Sequence, residues 1–317
     1  LKDDTLLDEL GLPKGSMQLI DDAKLQQINT KFSQMKTHLA TGGSAGNAIL
    51  GLACLGAGTG FIGKVGNDHY GDFFRKNLQN NNIEDNLLTS EQLPSGVAST
   101  FISQDGERTF GTYLGAAASL KAEDLTLEMF KGYAYLFIEG YLVQDHEMIL
   151  HAIELAKEAG LQICLDMASY NIVENDLEFF SLLINKYVDI VFANEEEAKA
   201  FTGEEPEEAL RVIAKKCSIA IVKVGANGSY IRKGTEEIKV SAIPVEKVLD
   251  TTGAGDAFFG GFLSEFVKSG KSVYEVSIDD MVRFARVGCA TASLCIGRRG
   301  GIPSMPTMEE VTELLNG

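Results

Sequence analysis

From about residue 132 onward the chain alternates short apolar runs with amphipathic stretches. Residues 133–138 read as a strand. Ile149, Ala152, Ile153 and Ala156 then recur at helical spacing, Gly160 closes that helix, and residues 161–165 return to a strand. The rhythm continues with a helix near residues 177–184, a strand at 190–193, helices over 195–201 and 206–215, and a strand at 219–224. Repeated β-α-β of this kind predicts a parallel sheet with helices on both faces, and ligands then gather beyond the carboxyl ends of the strands. Residues 225–228 read as a turn and 229–243 as a hairpin with Lys233 and Gly234 near its tip; two long helices follow, starting near Asp256 and Ile278.

Upstream, residues 97–103 and 109–114 flank Gln104-Asp105-Gly106-Glu107, a spacer of hairpin length, and predict a small β lid. No fixed-period repeat, low-complexity tract or linker divides the chain. The expectation is one α/β domain over residues 1–317, with a lid contributed mainly by about residues 1–20 and 95–115. Residues 41–63 carry no charge and are long enough to be weighed as a membrane span, but eight glycines and Asn47 leave too little side-chain apolarity; a loop, helix and strand fit better.

With 317 residues and 45% hydrophobic content the chain can bury a substantial core. Its formal net charge of −17 makes the average surface repel polyanions, which argues against nucleic acid and acidic membranes as partners and leaves a small anion at a local site open. Cys54, Cys164, Cys217, Cys289 and Cys295 lie in apolar surroundings without a C-x-x-C pair, the pattern of reduced thiols in a cytosolic (cytoplasmic) protein. His38, His69, His146 and His151 share no metal-ligand spacing, and no chemistry is assigned to them.

The sharpest local signal is Asp250-Thr251-Thr252-Gly253-Ala254-Gly255-Asp256-Ala257-Phe258, which opens a helix carrying Gly260 and Gly261. The N–H groups of Gly253, Ala254 and Gly255 would lie at a helix N-terminus, where unpaired donors and the helix dipole favour a developing phosphoryl charge. Asp256 beside them would accept the proton of an attacking hydroxyl. An aspartate at a helix start is also a common cap; the Gly-x-Gly setting favours the base. In Gly42-Gly43-Ser44-Ala45-Gly46-Asn47, the Gly43 backbone can approach a substrate ring and the Asn47 amide can bond vicinal hydroxyls, although helix packing and capping use the same residues. Asn194 and Glu197 stand one turn apart, suited to phosphate oxygen and to water on Mg2+, or to a plain acidic first helical turn. Lys223, with Gly225 and Gly228 in the turn beyond it, can neutralise phosphate charge or be a solvated strand-end lysine.

Together these segments resemble the PfkB or ribokinase family of carbohydrate kinases over essentially the whole chain. Residues 42–71 look like the family's first signature, Asn194-x-x-Glu197 its magnesium and phosphate motif, and residues 250–262 its second signature with the D-T-x-G-A-G-D core. The resemblance implies a ribokinase-like three-layer α/β/α fold with a mostly parallel central sheet and a β lid. It implies Mg2+-ATP as donor, Asp256 as general base, Gly253, Ala254 and Gly255 as anion hole, and Asn194, Glu197, Lys223, Gly225 and Gly228 on the ATP side. It also implies an optional monovalent-cation (K+) site from the carbonyls of Asp250, Thr252 and Gly300 and the Ser304 hydroxyl.

Residues 12–18 and 108–115 look most similar to adenosine-kinase-like members, which implies a nucleoside acceptor phosphorylated on a primary hydroxyl. Gly43 and Asn47 would then meet ribose hydroxyls, with Gln18 and Met17 approaching the base. Glu139 matches a position where some sugar kinases bind substrate; a strand-end carboxylate facing water is the alternative. A sugar kinase for ribose, fructose or 2-keto-3-deoxygluconate uses the same phosphate machinery, and a catalytically silent nucleotide or nucleoside sensor keeps the same fold. A dinucleotide oxidoreductase is disfavoured, because no strand leads into an early G-x-G-x-x-G helix with a later acidic partner. Two departures stand out: family members open on a strand whose acidic residue binds substrate hydroxyls, so a strand before Leu1 is expected, and Lys223 stands where many sugar kinases carry threonine. The lid edge offers a homodimer surface unless a helix or loop covers it.

Overall fold

The computed structural model describes residues 1–317 except Lys2, Gln34, Gly106, residues 299–304 and Gly317. In chain order the first elements are α1 (Thr5–Leu10), β1 (Met17–Leu19), α2 (Asp22–Phe32), α3 (Ser44–Cys54), β2 (Thr59–Gly66), α4 (His69–Asn80), β3 (Ile83–Ser90), β4 (Val97–Ile102) and β5 (Arg108–Tyr113). There follow β6 (Tyr135–Glu139), α5 (His146–Glu158), β7 (Gln162–Asp166), α6 (Tyr170–Asn175), α7 (Leu177–Lys186), β8 (Ile190–Asn194), α8 (Glu195–Thr202), α9 (Pro206–Ala214) and β9 (Ile219–Lys223). The chain closes with β10 (Ser229–Lys233), β11 (Glu236–Val240), α10 (Ala254–Ser269), α11 (Ile278–Ile296) and α12 (Met308–Asn316).

Two compact units emerge. One holds Leu1–Gly42, Ile62–Gln79 and Asp85–Leu120. Its three-stranded sheet has the order β1-β5-β4, with β1 parallel and β4 antiparallel to β5. The hairpin read from residues 97–114 is therefore present, and the short segment 17–19 adds a parallel edge strand. Leu7, Leu10, Leu12, Ile28 and Phe101 form the core of this unit. Local chemistry places its helices: Gly11 ends α1 at φ 60, and the Asp21 carboxylate caps α2 by accepting the Lys24 N–H at 2.8 Å.

The other unit holds Gly43–Phe61, Asn80–Glu84 and Lys121–Gly317. Its sheet has the order β11-β10-β9-β8-β7-β6, parallel from β6 to β9 and antiparallel through the β10–β11 hairpin. Strand residues of both phases are fully buried. Cys164, Ile190, Phe192, Ile219 and Ile221 pack against Phe258, Phe259, Phe262 and Phe266 of α10 and Phe284 of α11. The alternating Ile163, Leu165, Val191, Ala193, Ala220 and Val222 are buried to the same degree on the opposite face, which α5, α8 and α9 approach. Near-continuous apolar strands are what a sheet covered on both faces requires, and the result is the ribokinase-like α/β/α arrangement. Each buried phenylalanine contributes about 1.5–3 kcal/mol of transfer free energy.

Two glycine positions fix geometry near the site. A Cβ on Gly228, at φ 91, would fall 2.0 Å from the Val240 carbonyl oxygen, so the hairpin closes only without a side chain there. A Cβ on Gly260 would lie 3.3 Å from backbone atoms of Gly51 and Leu52, which shows that α10 and α3 meet backbone to backbone. No helix among the described residues is long and apolar enough to cross a membrane.

Candidate active site

The four parallel strands end on a row of polar residues: Glu139 on β6, Asp166 on β7, Asn194 on β8 and Lys223 on β9. Register pairs Glu139 with Asp166 and Asn194 with Lys223, so the row lies across the carboxyl edge of the sheet. Asp256 stands in the first turn of α10. Its Oδ1 accepts the Ser44 hydroxyl at 3.0 Å and its Oδ2 accepts the Asn47 Nδ2–H at 3.0 Å, both from the first turn of α3. Burial pushes the Asp256 carboxyl above its ordinary range, the Asn47 hydrogen bond pulls it back, and the Asp166 charge raises it further.

α10 begins on Gly253, at φ 77, which brings no side chain to cap the helix. Of the three expected anion-hole donors, Ala254 N–H is already used: it donates to the Thr251 carbonyl at 3.2 Å, closing the turn that reverses the chain into the helix. Gly253 and Gly255 N–H have no partner among the described residues. Two of the three expected donors, Gly253 and Gly255 N–H, are thus unengaged among the described residues. Lys223 Nζ lies beside them, 3.4 Å from where a Gly255 Cβ would be. It is no solvated lysine: it forms an ion pair with Asp166 Oδ2 at 2.7 Å, with both side chains 15% exposed. Burial alone would lower the Lys223 pKa, but the charges of Asp166, Glu197 and Asp256 more than offset it and the ammonium is held above its ordinary value.

Asn194 and Glu197 form a reciprocal cap. Asn194 Oδ1 accepts the Glu197 N–H at 2.8 Å, Glu197 Oε2 accepts the Asn194 N–H at 2.8 Å, and Glu197 Oε1 accepts the Asn194 Nδ2–H at 2.7 Å. Burial, and next the charge of Asp166, push the Glu197 carboxyl up to about 7. Glu139 does not face water. It is 6% exposed, its Oε1 has no hydrogen-bond partner among the described residues, and burial followed by Asp166 and Asp256 raises its carboxyl to about 8.

Gly43, at φ 89, is the residue before α3, and a Cβ there would meet nothing within 4 Å, so the conformation and not crowding calls for glycine. The same holds for Gly225, at φ 53 beyond β9. Gln18 lies on β1 in the other unit, exposed, with Nε2 donating to Ser16 Oγ at 3.4 Å; Met17 beside it is 48% exposed. Of the proposed monovalent-cation ligands, Asp250 accepts the Thr252 N–H at 3.0 Å and the Thr252 carbonyl accepts the Cys295 thiol at 3.7 Å, whereas Gly300 and Ser304 lie outside the described residues.

Two site residues escaped the sequence reading. Ser44 sits 212 positions from the carboxylate it holds, beyond the reach of any local pattern. Asp166 had a usable signal, since it closes an apolar strand at the edge where ligands collect. Among the described residues no three His, Cys, Asp or Glu side chains converge to coordinate a metal directly. The donor set instead suits Mg2+, which keeps its waters and is held by one or two carboxylates and phosphate oxygens: the carboxylates of Asp166, Glu197 and Asp256 gather around Lys223 here.

Residues 15–308 match the pfkB family of carbohydrate kinases. The chain belongs to that family. It is similar to fructokinase-1 of Oryza sativa subsp. japonica, 30% identical across 87% of this chain and 88% of that protein. It is also similar to the ribokinase of Staphylococcus aureus strain COL, 26% identical across 86% of each. The crystal structure of adenosine kinase from Sinorhizobium meliloti superimposes with a TM-score of 0.82 at 31% identity, covering 99% of this chain and 94% of that one. This pfkB kinase is ATP-dependent and takes an alcohol group as acceptor, on a carbohydrate or nucleoside. Kinases of the family use ATP with Mg2+.

Proposed function

We propose that the protein transfers the γ-phosphoryl group of ATP to a primary hydroxyl of an adenosine-like nucleoside, with Asp256 as general base. The observation that carries this reading is the setting of the Asp256 carboxylate. It is held by two neutral donors, Ser44 and Asn47, and stands in the first turn of a helix whose glycine start leaves N–H groups exposed to an anion. A carboxylate so held keeps its orientation, while burial keeps it more basic than an ordinary aspartate. The acceptor hydroxyl gives its proton to Asp256 as its oxygen bonds to the γ-phosphorus, and the bond from that phosphorus to the bridging oxygen breaks, its electron pair leaving on ADP. Gly253 and Gly255 N–H and the Lys223 ammonium face the charge on the group in transit.

Mg2+, when bound, offsets phosphate charge. Glu197 would hold it through water, and Asn194 and the turn at Gly225 and Gly228 would meet the nucleotide. Asn47 spends one N–H on Asp256 and keeps its Oδ1 for a ribose hydroxyl beside the Gly43 backbone. Gln18 and Met17 are the residues this reading assigns to the base. A K+ at the Asp250 and Thr252 carbonyls and a reducing cytosol, which suits five free cysteines, belong to the same proposal.

The adenosine choice draws on the 31% identity to an adenosine kinase along 99% of the chain. The second reading, a sugar kinase, draws on the unpaired Glu139 Oε1, suited to a sugar hydroxyl, and on the fructokinase likeness. A panel of adenosine, ribose, fructose and 2-keto-3-deoxygluconate with Mg2+-ATP, followed by ADP release, separates them. We expect adenosine to lead in kcat/KM by about 100-fold or more, the discrimination a few buried polar contacts supply. A lead for fructose or ribose replaces the nucleoside reading with the sugar one.

A further inference from the structure

Asp166 belongs to none of the motifs that mark the site, yet it is the residue on which the site's cation rests. We propose that Asp166 is a positioning residue for phosphoryl transfer, holding the Lys223 ammonium against the first turn of α10; this rests on the phosphotransfer reading above.

The geometry is specific. β7 and β9 flank β8, and their last residues, Asp166 and Lys223, reach across its end to form a 2.7 Å ion pair. The other carboxylate oxygen, Oδ1, accepts the Ala168 N–H at 3.0 Å, so both oxygens are committed and the carboxylate cannot turn. The turn that supplies this N–H is itself forced: Ala168 sits at φ 64, a left-handed conformation that non-glycine residues resist. Gly140 makes room for it, since a Cβ there would fall 2.5 Å from the Met167 carbonyl oxygen. A strained turn and a required glycine thus aim one carboxylate.

What is aimed matters more than what is paired. Lysine has a flexible four-carbon stem and on its own samples many rotamers. The ion pair selects the one that brings Nζ beside Gly255, whose missing side chain lets the ammonium approach the helix start. A buried ion pair is weak evidence of added stability, so stability alone gives poor reason for strain in its support. The groups that face Lys223 are Asp166 from β7, Glu197 from α8 and Asp256 from α10. Among the described residues Asp166 alone bonds the ammonium, and it does so from the sheet side, leaving the α10 side for a phosphate oxygen.

The test compares Asp166→Asn, Lys223→Gln and the double variant in the full chain. NMR of 13Cε-labelled lysine reads the Lys223 charge in the free protein, without turnover; steady-state kinetics with Mg2+-ATP and the preferred acceptor reads its use. In wild type we expect the ammonium to titrate at higher pH than an ordinary lysine, because the neighbouring carboxylates outweigh its burial. In Asp166→Asn its midpoint moves to lower pH, because burial is then less opposed. Turnover of Asp166→Asn falls by about 10- to 100-fold and gains a basic limb that follows the new midpoint. Lys223→Gln loses turnover without that limb, and the double variant is no worse than Lys223→Gln alone. If Asp166→Asn does not fold, the double variant against Lys223→Gln carries the same comparison, since no buried ammonium is left unpaired. Unchanged turnover in Asp166→Asn, or independent losses that multiply in the double variant, overturn the proposal. A wild type that phosphorylates no acceptor overturns the phosphotransfer reading instead.

Discussion

α8 and α10 both start at the carboxyl edge of the sheet, and both carry an acid in the first turn, buried at Glu197 and half-buried at Asp256, but they use it in opposite ways. At α8 the cap is Asn194, and Glu197 folds back to bond its cap, so each residue satisfies the other. At α10 the cap is Gly253, which has no side chain to donate or accept, and Asp256 turns away to Ser44 and Asn47 on a neighbouring helix. The polar cap adds about 1 kcal/mol of stability and uses up the groups that supply it. The glycine cap forgoes that stabilisation and leaves N–H groups and a carboxylate for something else. An acid near a helix start is therefore informative only together with the residue that begins the helix.

Breaking the α10 side should have the largest effect. Asp256→Asn keeps both partner contacts in shape and removes the base: turnover should fall by about 100- to 10,000-fold while nucleotide and acceptor still bind, which calorimetric titration beside ADP-release kinetics would check. Wild-type turnover in this variant would make Asp256 a cap like any other. Next comes Asn47→Ala. It removes the hydrogen bond that holds the Asp256 carboxyl down, so burial is less opposed, its pKa rises further, and the acid limb of kcat/KM moves to higher pH. A limb that stays in place would show that Asp256 is not the titrating group. The smallest effect is expected at α8: Asn194→Ala should lower unfolding stability by about 1 kcal/mol, read from urea melts, with a smaller loss of turnover than either α10-side change. A larger loss would rank the nucleotide contacts of the cap pair above the α10 side.

The alternating β-α-β run was legible because a sheet covered on both faces needs strands buried in both phases, and residues 190–193 and 219–222 are apolar without a break. The loop before Asp256 was legible for a related reason: few folds need so many small residues in a row at a helix start. What escaped depends on long-range contact. Nothing near Asp166 in sequence announces a lysine 57 positions away, and for Glu139 the sequence left a substrate contact and a solvated strand end both open until the tertiary fold covered it. The three residues of β1 are all exposed, so no buried periodicity betrays the strand; only pairing with β5 defines it. That the Ala254 N–H donates to the Thr251 carbonyl is likewise a matter of turn geometry that the motif does not show.

The contact of Gly260 with Gly51 has a mechanical consequence. Ser44 and Asn47 ride on one of those helices and Asp256 on the other, and interlocked main chains slide far less than interleaved side chains do. Asp256 and the two side chains that hold it therefore keep a fixed spacing, and any adjustment that fits the enzyme to reactants of different size has to come from other parts of the chain.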